Sequence, residues 1–327
     1  MTVTASRPEP ERSAERPRYP WIDVWRGAAL LAMASYHFMW DLASIGYAEP
    51  DFASTGWPRL YARCIASTFL LIAGMSLALA HRNGLNRNRF LMRLIKISAA
   101  AALVSLSTWF LSPGSFIYFG ILHAMALFSV IGLLFLPLPY WLCLVFGAGF
   151  VLAQALPRAD VLNHAGLWWT GLSPQVRRSD DFVPLVPWFG PFLIGIGIMK
   201  GLIVSGLIDR TSAWRWPDLS TARALQFLGH HSLAFYLLHQ PLLIGALTVL
   251  SQVVAPAPPD PVTRYQNSCM ASCTQNSTAD FCQRFCRCTI DQLMEAQLFE
   301  PLVTGRISVE TDSRIEGIGA ECTRKAF

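Results

Sequence analysis

Apolar residues in this chain gather into runs of about 17–25 positions, the length a helix rising about 1.5 Å per residue needs to cross a hydrocarbon core. Such runs lie at 24–46, 60–80, 92–111, 117–136, 139–156, 184–204 and 223–250. Turn and breaker residues separate them at Arg82-Asn83-Gly84, Ser112-Pro113-Gly114-Ser115 and Leu136-Pro137-Leu138-Pro139. The fourth and fifth runs, split only by that proline pair, form either separate spans or a tight helical hairpin. The pattern predicts an all-α, polytopic transmembrane bundle of seven spans over residues 21–250. Residues 1–20 are polar, have no apolar core of their own and read as a disordered arm rather than a cleavable signal peptide. A proline-rich linker follows at 251–262, and residues 263–327 read as a small, Cys-rich helical module.

Composition supports a membrane protein. Of 327 residues 53% are hydrophobic and 14% charged, whereas a soluble domain has about a quarter of its residues charged. The net charge of +5 is modest and confined to loops, which suits membrane topology better than nucleic-acid binding. Basic residues mark one face: Arg7, Arg12, Arg16 and Arg18 before the first span, Arg82, Arg87, Arg89, Arg93 and Lys96 after the second, and Arg210, Arg215 and Arg223 after the sixth. The opposite loops are short and nearly neutral or mix signs, as in Arg177-Arg178-Ser179-Asp180-Asp181. This asymmetry places the N-terminus in the cytoplasm and the C-terminal module on the opposite, periplasm-like face.

The cysteines bear on that placement. Cys269, Cys273, Cys282, Cys286, Cys288 and Cys322 fall in the last module. In an oxidising compartment they form a disulfide framework for a unit too small to stand on its core alone, and this is preferred over a zinc site. The favoured pairing joins Cys269 and Cys273 to Cys282 and Cys286, leaving Cys288 for Cys322. Cys64 and Cys143 lie inside spans and are expected to be buried, small apolar residues.

The first span carries unusual chemistry. Asp23, Arg26, His37 and Asp41 fall within about 60° of one another on the helix wheel, against a face of Ala, Leu, Met and Phe. Asp23 and Arg26 can pair, and His37 and Asp41 can hydrogen-bond. Ionisable groups at membrane depth are costly unless paired or facing a watery cavity. A bland reading makes the first pair interfacial and His37 a satisfied core residue. The functional reading makes His37 a general base oriented by Asp41.

These residues resemble a known family. Ten residues separate Arg26 from His37, the Arg-x10-His arrangement of transmembrane acyltransferases. Ile22-Asp23-Val24-Trp25-Arg26-Gly27 and Tyr36-His37-Phe38-Met39-Trp40-Asp41-Leu42 are similar to the bacterial branch of the heparan-α-glucosaminide N-acetyltransferase catalytic-domain family. Further blocks follow in order: Arg63 with Phe69 to Leu77, Tyr118 to His123, Asp181 to Gly190, and Leu228 to Pro241. The chain has Gly229-His230-His231-Ser232-Leu233 where the family has Gly-Arg-His-Ser-Leu. If that Arg touches a phosphate, His230 holds it less firmly. The Cys-rich module lies outside the resemblance.

The resemblance implies transfer of an acetyl group from acyl-CoA to an amine or hydroxyl acceptor, such as a sugar or glycolipid, in or across the bilayer. Within that frame His37 is the base, Asp41 its orienter, and Arg26 a group for donor binding or developing charge. Asp23, His230 and His231 join Arg26 as donor-binding candidates. Ser232, Tyr236 and His239 recur on one face of the last span and, with His123 and Asp181, are candidates to line the site. Each can equally serve as an interhelical hydrogen bond. No metal or nucleic-acid partner is expected, since the zinc-His, Walker and dinucleotide patterns are absent from the sequence. The competing reading is a proton-coupled transporter or channel; a third is a sensing protein whose module binds a partner.

Overall fold

The computed structural model describes residues 19–49, 52–158, 160–212, 220–256, 260–309 and 311–326. The basic arm (Arg7, Arg12, Arg16, Arg18), Arg215, and Pro258 and Pro259 of the linker lie outside the described residues. Within them the fold is all helical, and the one extended feature is an isolated bridge between Phe119 and Phe182. The chain falls into two compact units, divided between Gln252 and Val253.

The first unit holds the expected spans. They are α1 (Pro20–Ile45), α2 (Gly56–Ala80), α3 (Arg87–Leu111), α4 (Ile121–Gly132), α5 (Tyr140–Leu152) and α6 (Leu185–Val204). A short α7 (Leu207–Ser212) precedes α8 (Ser220–His230) and α9 (Ser232–Val253). Pro20 sits at the first turn of α1, where its missing N–H costs nothing. Gly46, at φ 96°, ends the helix in the left-handed conformation that glycine adopts freely. Four helices, α2, α3, α6 and α9, are each long and apolar enough to cross a membrane. α1 is as long but carries the ionisable stripe, and α4 and α5 are shorter apolar helices extended by 3₁₀ turns to Phe135 and Ala155.

The seventh run, expected as one span over 223–250, divides into two helices that pass α1 in opposite directions, and only α9 is long and apolar enough to cross a membrane. α8 and α9 meet at His231, and backbone hydrogen bonds from His231 N–H to Phe227 and from Phe235 N–H to His231 carry the chain across. α8 packs antiparallel to α1, and α9 then turns back along it to meet its far end. Gly27 lies against the Leu225 backbone, Gly229 against that of Asp23, and His37 and Asp41 meet His239 and Gln240.

The core of the unit is built from α2, α4, α5 and α6 around Leu70, Leu77, Phe128, Cys143, Phe189, Phe192, Leu193 and Met199. α2 and α6 cross where Gly74 meets the Phe192 carbonyl and Gly195 meets that of Leu71, with no room for a Cβ on either. Small residues let membrane helices approach this closely, and dispersion then does the work that water does in soluble cores. Lys200 of α6 reaches the Leu136 carbonyl at 2.7 Å and also that of Leu138, satisfying the proline-broken link before α5. Few residues of α3 and α9 are buried; their outer faces expose Leu106, Trp109, Phe110, Leu238, Leu242 and Val249, as a lipid-facing surface requires. Cys143 is buried as expected, but Cys64 is exposed. It lies on α2, a helix apolar enough to cross a membrane, where a small thiol needs no burial in protein.

The second unit contains α10 (Pro261–Cys273), α11 (Ala279–Glu295), α12 (Phe299–Val303) and α13 (Ser313–Ala326). Its six cysteines are paired as Cys269–Cys286, Cys273–Cys282 and Cys288–Cys322. The paired thiols of α10 and α11 recur every fourth residue and so stand on one face of each helix. The only core cluster of this unit among the described residues is Ile290, Leu293, Leu298, Phe299 and Ile315. Cross-links compensate for so small a core.

The α2–α6 crossing is the most sensitive joint. Replacing Gly74 or Gly195 by Val inserts bulk against a carbonyl and should cost about 1–3 kcal/mol. The check is a fall in melting temperature and in monodisperse yield of the detergent-solubilised protein. Val at the exposed Gly149, which has open space around it, should leave both unchanged.

Candidate active site

The stripe of α1 divides into two centres. Near its N-terminal end Arg26 donates to Asp23 at 2.9 Å, to Ser76 Oγ of α2 at 3.0 Å and to the Gly229 carbonyl at 3.4 Å. The guanidinium thus ties α1 to α2 and to the end of α8, and its carboxylate partner offsets the cost of carrying a charge into the bundle.

Arg26 also opens onto a cavity of about 650 Å³ among α1, α2, α3, α4 and α9. One part of its wall is cationic: Arg89, Arg93 and Lys96 of α3 join Arg26 there. No carboxylate lies within ion-pair distance of those three α3 side chains among the described residues. The rest is apolar, with Leu30, Phe69, Ile72, Ile97, Leu122 and Met125, and Ser232 and Tyr236 of α9 complete it. A pocket of this size and make-up accepts a ligand with an anionic head and a long, mainly apolar arm.

The second centre lies near the other end of α1. His37 and His239 face one another with ring centroids 5.0 Å apart. His239 is buried, at 7% exposure, and its Nδ1 lies 2.7 Å from the Tyr236 carbonyl oxygen. A carbonyl only accepts, so Nδ1 carries the hydrogen and Nε2 the lone pair. That Nε2 is buried without a partner. Asp41, at 3% exposure, accepts a hydrogen bond from Gln240 Nε2 at 2.7 Å; its second oxygen and Gln240 Oε1 are also buried without partners. The expected hydrogen bond between His37 and Asp41 does not form: Gln240 takes one carboxylate oxygen, and the His37 ring turns towards His239 rather than to the other.

The remaining candidates are dispersed. Ser232 and Tyr236 line the cavity, and His239 faces His37 instead. His230 and His231 are exposed at the kink and are not part of the cavity wall. His123 receives the Gly120 N–H on Nδ1 at 3.2 Å and lies 3.0 Å from Ser105 Oγ on its other side. Ser105 in turn donates to the Ile117 carbonyl at 2.7 Å. Both ring nitrogens are therefore spent on holding the start of α4, and the ring borders a separate apolar crevice between α3 and α4. Asp181 accepts the Ile121 N–H at 2.8 Å, capping the same helix from the loop before α6.

Sequence reading gives the α3 cations to membrane topology. Their spacing was a usable signal: Arg89, Arg93 and Lys96 fall at i, i+4 and i+7, one face of a helix. Gln240 was missed as a partner for Asp41, since the contact joins α1 to a helix some two hundred positions away.

Residues 18–241 match the family described as Heparan-alpha-glucosaminide N-acetyltransferase, catalytic. No curated protein and no solved structure matches the chain.

Asp181 yields a pH test. Burial pushes its pKa up from the ordinary aspartate range to about 6, only partly offset by the Ile121 N–H. A carboxyl with a raised folded-state pKa favours folding while neutral, so its contribution is full below about pH 4 and lost as pH rises through about 6. The difference in melting temperature between wild type and Asp181→Asn should therefore shift across pH 4–6 in favour of the variant and be flat above it. Asn retains an oxygen for the Ile121 N–H, so the comparison isolates ionisation.

Proposed function

The chain belongs to the heparan-α-glucosaminide N-acetyltransferase catalytic family, and from that premise we propose that it moves an acetyl group from acetyl-CoA to an amine acceptor within the membrane. The observation that carries this reading is the half-cationic, half-apolar cavity between Arg26 and Tyr236. Acyl-CoA has that polarity: a phosphate-bearing head for Arg26, Arg89, Arg93 and Lys96, and a pantetheine arm for the apolar stretch. Arg forks bind phosphate oxygens bidentately, which makes three of the four cations more than a diffuse field. The cationic end faces the cytoplasm in this reading, as the basic loops favour.

His37 stands eleven residues beyond Arg26 on α1, about 16 Å along the axis, a distance a pantetheine arm spans. There it acts as general base. The acceptor nitrogen attacks the thioester carbon, the C–N bond forms, and the C–S bond breaks with its electron pair on sulfur. His37 takes the proton released from nitrogen and delivers it to the thiolate, so CoA leaves as the free thiol.

The orphan oxygens beside His37 favour an amine over a hydroxyl. Asp41 Oδ2 and Gln240 Oε1 are buried acceptors lacking donors. An arriving primary ammonium offers several N–H donors and the charge that Asp41 complements, and it sheds one proton to solvent before its nitrogen attacks, whereas a hydroxyl brings a single donor. The family description names a glucosaminide, and an amino sugar fits this class. No observation favours the transporter reading.

Purified protein in lipid nanodiscs, given labelled acetyl-CoA and D-glucosamine, should form N-acetylated product. His37→Ala should abolish transfer without changing the melting temperature, and equal turnover in that variant would end the assignment. Arg93→Ala should raise KM for acetyl-CoA about tenfold or more, the scale of a lost charge-assisted hydrogen bond. Asp41→Asn should act on KM for the amine instead.

A further inference from the structure

General-base catalysis by a histidine requires more than a lone pair. The other ring nitrogen must hold its hydrogen in a fixed direction, or the ring populates the wrong tautomer. The sequence pattern assigned that duty to Asp41, four residues along α1, but Asp41 is engaged by Gln240. No hydrogen bond from His37 to any described residue takes its place.

His239 has the features the duty requires. It sits on a different helix, so the contact also fixes α9 against α1. Its Nδ1–H is committed to the Tyr236 carbonyl at 2.7 Å, which leaves Nε2 as an obligate acceptor. That Nε2 is buried and without a donor, and the His239 ring stacks on Phe235 at an interplanar angle of 5°, which holds its plane. With centroids 5.0 Å apart and planes at 60°, a rotation of His37 about its side-chain bonds brings ring nitrogens to roughly 3 Å, hydrogen-bond distance. The other titratable groups around the pair are Asp41 and Tyr36 on α1 and Tyr236 on α9. Of these the Tyr236 hydroxyl belongs to the cavity, and Tyr36 Oη donates to the Ala53 carbonyl at 3.2 Å.

Resting on the acyl-transfer reading above, we propose that His239 is the positioning partner of His37: its Nε2 accepts the N–H of one His37 nitrogen and leaves the other as the base. When His37 takes the acceptor's proton it becomes an imidazolium, and its bond to His239 becomes charge-assisted and shorter. Once the proton passes to the departing thiolate, both rings return to their starting tautomers, so His239 gains and loses nothing over the cycle. The Tyr236 carbonyl that anchors His239 belongs to the residue whose side chain lines the donor cavity. The base and the donor site therefore share one turn of α9.

Two substitutions separate this role from a structural one. His239→Asn keeps a donor near the Nδ1 position for the Tyr236 carbonyl but cannot reach His37. His239→Gln places an oxygen near the position of Nε2. With labelled acetyl-CoA and D-glucosamine, the Asn variant should lose about 100-fold in kcat, with KM for acetyl-CoA within about twofold, and the Gln variant should recover most of that loss. In parallel, ¹⁵N-histidine NMR of the full-length protein should show His37 as one tautomer in the wild type and as a mixture in the Asn variant. Equal kcat for wild type and the Asn variant, or equal loss in both variants, overturns the proposal, as does a His37 tautomer that ignores residue 239. If the wild type acetylates no primary amine, the acyl-transfer reading fails, and the NMR comparison still decides whether His239 positions His37.

Discussion

The side-by-side contact of α1 with the kinked α8–α9 segment carries the rest of the site. A charged or polar group taken into an apolar bundle must find a partner there or face water, and α1 brings four such groups. Three are met from this neighbour or from α2, Arg26 by Ser76 and the Gly229 carbonyl, Asp41 by Gln240 and His37 by His239, and Asp23 is paired by Arg26 on α1 itself. The approach depends on two glycines. A Cβ on Gly27 would strike the Leu225 carbonyl and one on Gly229 the Asp23 carbonyl, so the backbones touch where the first ion pair forms. Move the helices apart and the pairs at both ends of α1 open together.

The electrostatics of the cavity follow from its wall. Four cations stand around one space, and among the described residues only Arg26 of these has a carboxylate in contact. Like charges in a partly apolar setting repel more strongly than they do in water. Arg89 and Lys96 relieve this by reaching outward, and both are exposed, whereas Arg93 lies deeper on the same face. The arrangement is unfavourable when empty and is offset when an anion arrives. That is the behaviour of a site selected for binding rather than for stability. It also explains why α3 packs so little of its length against the bundle: its charged first half serves the cavity, and its second half meets lipid.

Most of the architecture was legible from the apolar runs, because span length is dictated by membrane thickness and leaves little freedom. Six of the seven apolar runs appear as helices with ends near the expected ones, and the seventh divides at His231 into α8 and α9. The disulfide pairing also follows from one rule, thiols four apart on facing helices. The site was legible only along single helices. The wheel placed Arg26, His37 and Asp41 on one face of α1, yet it paired His37 with Asp41, since a partner on the same helix is all one helix can show. His239 and Gln240 are some two hundred positions away, and their roles come from the register between α1 and α9. His123 and Asp181 looked like site residues for the opposite reason. A polar group near an apolar helix start is noticed in sequence, but a helix start is also where unpaired N–H groups need an acceptor, and both residues are spent on α4.

The same register argues for how the two centres work together. In the proposed reaction a donor fixed by its phosphates near Arg26 must present its thioester close to His37, about 16 Å further along α1. Binding energy gained at the cationic end then aligns an atom at the far end, which is the effective use of remote contacts in catalysis. Tyr236 stands at the junction: its hydroxyl side faces the donor cavity and its backbone oxygen holds His239. An occupied cavity that shifts Tyr236 therefore shifts the ring opposite His37 as well. The single turn of α9 from Tyr236 to Gln240 thus touches donor, base and acceptor carboxylate in succession. No other turn among the described residues does so, which makes this segment, as much as the stripe on α1, the place where the chemistry is organised.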